Sequence, residues 1–187
     1  MLIFATGNKK KIAEASDILN EFRIRFEAKN AEVDEIQHHD PLEITRRKAL
    51  DMYNKLTPEF GDKLKIVVHD TSWDIPALNG FPGGYMKDVL TWFSVDDFLN
   101  LMDGKKDRSA IAKDNIVYYD GEIMKVFSHN IPCVILTKPR GKCLSSWEKV
   151  CSSDGGNHSL AENWENNFTP TDDLKKQWQQ HWIDFAN

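Results

Sequence analysis

Short apolar runs and helical-period stripes alternate along the chain. Leu2-Ile3-Phe4-Ala5 is an apolar run closed by Thr6-Gly7-Asn8, which predicts a buried strand ending in a turn. Ile12, Ala15, Ile18, Leu19 and Phe22 then recur at helical spacing, predicting a helix directly after it. Residues 23–28 alternate and suit a strand. A second helix starts at Pro41, with Leu42, Thr45, Ala49, Met52, Tyr53 and Leu56 along one stripe. Proline fits the first turn because a missing N–H costs nothing there. Ile66-Val67-Val68 predicts the next buried strand, ending at His69-Asp70-Thr71. A Gly/Pro-rich loop over 78–85 leads into a helical pattern through residues 86–102. Residues 109–119 and 122–128 read as two strands joined at Asp120-Gly121, a hairpin signal, and 131–137 as another strand. In the tail, Leu174, Trp178, Trp182 and Phe185 share one face of a helix expected to pack in the core. Helices that alternate with strands, followed by a hairpin, predict an α/β fold with a mixed sheet.

A chain of 187 residues fits one compact domain, here expected to span 1–187. Six Trp and ten Phe supply large core pieces, which a disordered chain would not carry. No apolar run reaches the roughly 18–20 residues of a membrane span. At the N-terminus apolar residues precede the lysines, the reverse of a secretory signal, so an intracellular, cytoplasmic protein without a membrane partner is expected. Cys133, Cys143 and Cys151 are an odd set without CxxC spacing and read as buried or incidental thiols. The net charge of −5 disfavours a nucleic-acid polymer as partner, though it averages over any local basic pocket.

Three segments carry candidate chemistry. Thr6-Gly7-Asn8-Lys9-Lys10-Lys11 joins a strand to a helix, where backbone N–H groups and lysines suit a phosphate. It lacks the glycine spacing and Lys-Ser/Thr ending of a P-loop. Lysines at a helix start oppose the helix dipole, which favours an anion ligand over a merely solvated turn. Asp70-Thr71 follows a buried strand, where open α/β sheets bind ligands and where turn caps are equally common. The third is Asn79-Gly80-Phe81-Pro82-Gly83-Gly84-Tyr85, followed by Lys87, and alone it reads as an ordinary loop.

Taken together, T-G-N-x-x-K-x-x-E (Thr6 to Glu14) and D-T-x-x-x-x-x-A-L-N-G-x-P-G-x-Y (Asp70 to Tyr85) resemble the two long motifs of the inosine triphosphate pyrophosphatase family. Glu35-Ile36-Gln37, Lys48, Asp107-Arg108-Ser109-Ala110 and Pro139-Arg140-Gly141 fall in the family's order, over about residues 1–162. The resemblance implies an elongated mixed β-sheet flanked by helices, with two lobes and a central cleft. It implies hydrolysis of the α–β bond of non-canonical purine nucleotides (ITP, dITP, XTP) to the monophosphate and pyrophosphate. It further implies Mg²⁺, with Mn²⁺ as an alternative, and a homodimer. Carried over residue by residue, Thr6, Asn8, Lys11, Lys48 and Lys87 hold the triphosphate beside Thr71. Glu35 and Asp70 bind the metal, and Asp70 orients or deprotonates the attacking water, with Lys11 as its catalytic companion.

Three departures from the family pattern follow. His69 stands where the family has a second acid before Asp70; it is either a further metal ligand favouring Mn²⁺, or a residue packed at a strand end. Ser145-Ser146-Trp147-Glu148-Lys149 replaces F-G-[WY]-D-P; Trp147 either stacks on the base or belongs to the core, and Glu148 is a longer acid. After Ser159-Leu160-Ala161-Glu162 the family's base-reading Ser-His-Arg is missing, since Asn167 to Leu174 hold no His or Arg. An altered nucleotide substrate, or a non-catalytic nucleotide-binding homologue, therefore stand as alternatives.

Overall fold

The computed structural model describes residues 1–187 except Glu35, Cys143 and Asn167. The metal-ligand role expected of Glu35 therefore lies outside the described residues, as does Cys143. Strands β1 (Leu2–Ala5), β2 (Glu27–Lys29), β3 (Lys65–Ile75), β4 (Phe81–Gly83), β5 (Ser109–Tyr119), β6 (Met124–Ile135) and β7 (Cys151–Ser152) form one mixed sheet. Its order is β2-β1-β3-β5-β6-β7, with β4 paired to β3. β1 runs parallel to β2 and β3, whereas β4 is antiparallel to β3 and β7 to β6. The helices are α1 (Lys9–Glu21), α2 (Pro41–Phe60), α3 (Met86–Trp92), α4 (Val95–Leu101), α5 (Leu160–Glu165) and α6 (Asp172–Ala186). The expected α/β class with a mixed sheet and flanking helices is borne out.

The chain divides into two compact units. The first comprises Met1–Thr71, Asp114–His129 and Gln179–Asn187, and the second Ser72–Lys113 and Asn130–Trp178. In the first unit, strand alternation sorts the core into two layers. Ile66 and Val68 pack with Ala49, Met52 and Leu56 of α2. Val67, one residue out of phase, packs with Ala15, Ile18 and Leu19 of α1 and Trp182 of α6. Trp182 is fully buried, as the tail stripe predicts. The second unit is built around Trp147, Phe98, Met86, Val89 and Ile135.

Several boundaries differ from those predicted. β3 does not stop at residues 69–71 but runs on to Ile75, because Trp73, Asp74 and Ile75 pair with β4. The strand expected at 23–28 shrinks to Glu27–Lys29: Phe22 caps α1, and Arg23 takes a left-handed backbone with φ 58°. The single helix expected over 86–102 is two. Phe93 is extended, and Ser94 opens α4 with a capping box in which its hydroxyl and the Asp97 carboxylate exchange backbone N–H groups. The strands expected at 122–128 and 131–137 are one continuous strand, β6. Among the described residues no helix is long and apolar enough to cross a membrane.

Candidate active site

The turn after β1 is shaped by its own side chains. Thr6 Oγ1 accepts the Asn8 N–H at 3.1 Å, and Asn8 Oδ1 caps α1 by accepting from the N–H groups of Lys10 (2.9 Å) and Lys11 (3.4 Å). A Cβ on Gly7 would meet the Asn30 side chain at 2.8 Å, so the close approach requires glycine. The first turn of α1 carries three lysines and no acid. Lys9 and Lys10 are exposed, while Lys11 turns inward and its Nζ donates to the His69 carbonyl at 2.7 Å.

Lys48, projecting from α2, forms an ion pair with Asp70 of β3, Nζ to Oδ1 2.9 Å, with side chains 16% and 26% exposed. The second Asp70 oxygen, Oδ2, is buried without a hydrogen-bond partner. Burial pushes the Lys11 amine below its ordinary value, while the charges of Asp70 and Asp114 pull against that shift. Lys11, Lys48 and Asp70 thus gather around β3 within the first unit. Lys87, Trp147 and Glu148 belong to the second unit. Lys87 is exposed at the second position of α3. The Glu148 carboxylate accepts from the Ser145 N–H (2.9 Å) and hydroxyl (2.7 Å).

Three expectations need correction. Asp70 and Thr71 lie inside β3, not beyond its end, so their side chains project from opposite faces of the sheet. The same alternation turns His69 away from Asp70. Its ring is 4% exposed, Nε2 lies 3.1 Å from Asp114 Oδ1, and it stacks near His181 and Trp182, so it does not join a metal held by the Asp70 carboxylate. Trp147 is 1% exposed and packs edge-on against Trp73 and tilted against Phe98; the ring is core and leaves no face for a base.

Three residues outside the sequence-derived set complete the first unit's polar interior. Asp114 of β5 accepts from Thr71 Oγ1 at 2.5 Å as well as meeting His69. Burial alone would raise its carboxyl, but the His69 hydrogen bond, the electrostatics of His69 and His181 and the Thr71 hydrogen bond hold it at about 2. Glu14 is pushed up to about 8 by burial, reinforced by Asp114. Burial lowers His181 to about 3 and also lowers His69, so both rings are neutral at pH 7. The one acid of β5, set beside the apolar Ile116-Val117, and a histidine beside Trp182 were the available signals.

Against known proteins, the Ham1 family model matches residues 2–167. A dITP/XTP pyrophosphatase of Pyrobaculum aerophilum is 35% identical over 84% of this chain and 81% of its own length. An inosine triphosphate pyrophosphatase of Aspergillus fumigatus is 29% identical over 89% of this chain and 85% of its own. A HAM1 protein from Coxiella burnetii shares the fold with a TM-score of 0.75, at 16% identity, covering 99% of this chain and 95% of that one. The family read from the Thr6 and Asp70 motifs is the one found: the chain belongs to the Ham1 family.

Proposed function

We propose that this protein is a nucleoside triphosphate pyrophosphatase of nucleotide-pool sanitation, cleaving the α–β bond of dITP, ITP or XTP to the monophosphate and pyrophosphate. One observation carries the reading: Lys11, Lys48 and Asp70 meet around β3, and the Asp70 Oδ2 is buried with no protein partner. A buried orphan carboxylate oxygen beside two fixed ammonium groups suits a site completed by its ligands. The names of the relatives, dITP/XTP pyrophosphatase and inosine triphosphate pyrophosphatase, agree with it.

In this reading Lys11 and Lys48 hold the triphosphate oxygens, and Lys87 keeps the phosphate-binding role that the resemblance implies. Fixed cations stabilise the charge that grows on departing pyrophosphate and cost no reorganisation during reaction. Asp70 orients water for attack on the α-phosphorus and takes its proton as the bridging oxygen leaves with pyrophosphate. Hard carboxylate oxygens from Asp70 and Glu35 suit Mg²⁺, which when bound supplies charge across the phosphates. Thr6 and Asn8 order the turn that leads into α1 and so set its first-turn lysines for the anion. The protein acts as a cytoplasmic homodimer of single-domain chains, with no nucleic-acid or membrane partner.

The base side supports a second reading, an altered nucleotide preference. Trp147 is in the core, and the stretch Asn167 to Leu174 lacks the His and Arg that the resemblance calls for. Without donors to the 6-oxo group, discrimination falls. Pyrophosphate release measured on ITP, dITP, XTP, ATP, GTP and pyrimidine triphosphates, with Mg²⁺ and then Mn²⁺, separates these. Higher kcat/KM on the inosine and xanthosine nucleotides supports sanitation, and preference for another base supports the second reading. Binding without turnover on any nucleotide means that the chain is a non-catalytic homologue.

A further inference from the structure

The face of β3 opposite Asp70 holds a second cluster that the proposed chemistry does not use. Glu14 of α1, His69 of β3 and His181 of α6 each present one ligating atom, and these lie within 4.8 Å of one another. All three belong to the first unit. His181 is fully buried, and neither of its ring nitrogens has a hydrogen-bond partner; the His69 Nδ1 is likewise buried and unpartnered. A buried polar atom without a partner costs about 1–3 kcal/mol, and an ion would satisfy one such nitrogen on each ring.

We infer that Glu14, His69 and His181 bind one divalent transition-metal ion of the Zn²⁺ or Co²⁺ class. Two imidazoles and a carboxylate are a donor set that borderline ions prefer and Mg²⁺ does not. Tetrahedral ligands at about 2.1 Å from a metal stand about 3.4 Å apart. The His181 Nε2 to Glu14 Oε1 edge is already 3.5 Å. His69 and His181 lie with ring centroids 4.8 Å apart at 41°, so small ring rotations close the remaining edges.

The surroundings fit such an ion. Asp114 takes the His69 Nε2, which leaves Nδ1 for the metal, in the carboxylate–histidine–metal order that orients ligating imidazoles. Thr71 in turn fixes Asp114 by donating its hydroxyl. Trp182 packs edge-on against His69 and supplies the apolar wall. The Glu14 side chain is 29% exposed, which gives the cluster a route from solvent. Lys11 is the opposing charge, balanced by Asp114, and an entering ion displaces the proton that the buried Glu14 carboxyl holds in the metal-free protein.

The test is metal binding to the full chain after chelator dialysis, read by Co²⁺ visible absorption and by Zn²⁺ content at equilibrium. Wild-type protein takes up one equivalent and melts at a higher temperature with it. Glu14→Gln and His181→Gln lose that equivalent, Asp114→Asn weakens it by about 10–100-fold, and Asp70→Asn keeps it. Retention by Asp70→Asn separates this site from the proposed catalytic one, whose failure would appear only in turnover. Should His181→Gln not fold, the Glu14→Gln variant, a near-isosteric change at a side chain 29% exposed, decides the matter. No uptake by wild type overturns the inference, as does equal uptake by Glu14→Gln, or loss in Asp70→Asn.

Discussion

Lys48 and Asp70, 22 residues apart in the chain, meet as an ion pair of 2.9 Å in which only one carboxylate oxygen is used. The other oxygen is the atom we assign to water and metal. Asp70→Asn keeps the shape and an acceptor for Lys48 but removes the base. Its kcat is expected to fall by at least about 10²–10⁴-fold, with the far-UV circular dichroism spectrum unchanged. Undiminished turnover would remove Asp70 from the mechanism.

His69 sits against Asp114, so restoring an acid at this position is predicted to harm the fold rather than improve Mg²⁺ use. His69→Asp places two carboxyl groups together in a buried site, and unfolding in urea should show a loss of roughly 3–5 kcal/mol. A variant as stable as wild type, with higher Mg²⁺-supported activity, would restore His69 to the neighbourhood of the catalytic metal.

The two motifs around Thr6 and Asp70 were legible because each is nearly contiguous and its residue types are demanded by phosphate chemistry. Asp114 was not, since its partners His69 and Thr71 reach it only through the adjacency of β3 and β5, which no local pattern encodes. The true length of β3 was hidden for a related reason. Asp70, Thr71, Ser72 and Asp74 interrupt its apolar run, and the strand continues because β4 pairs with it. Trp147 shows the opposite limit: a resemblance suggested a base platform, while packing against Phe98 and Trp73 places the ring in the core.

Trp147 therefore reports on stability more than on base selectivity. Trp147→Ala should cost about 3–5 kcal/mol by urea denaturation. Trp147→Phe, which keeps an aromatic ring in the core, should leave the ratio of kcat/KM between ITP and ATP unchanged. A changed ratio at preserved stability would return the ring to the nucleotide.

Glu14 sets a pH dependence whose sign is unusual for a carboxylate. Its folded-state value of about 8 lies above its ordinary 4.5, so the folded protein holds the proton that the unfolded chain releases. That contribution is fully present below about 4.5 and is lost as pH rises through about 8, at up to about 1.4 kcal/mol per pH unit. In metal-free protein, Glu14→Gln should therefore gain on wild type between pH 5 and pH 8, as read from paired melting curves. A constant difference across that range would contradict the burial of this carboxyl.

The products formed from ITP test the central claim most directly. Phosphorus NMR of wild-type protein with ITP and Mg²⁺ or Mn²⁺ should show IMP and pyrophosphate appearing in equal amounts, with neither formed by Asp70→Asn. Appearance of IDP and orthophosphate, or the same products from Asp70→Asn at the wild-type rate, would contradict it.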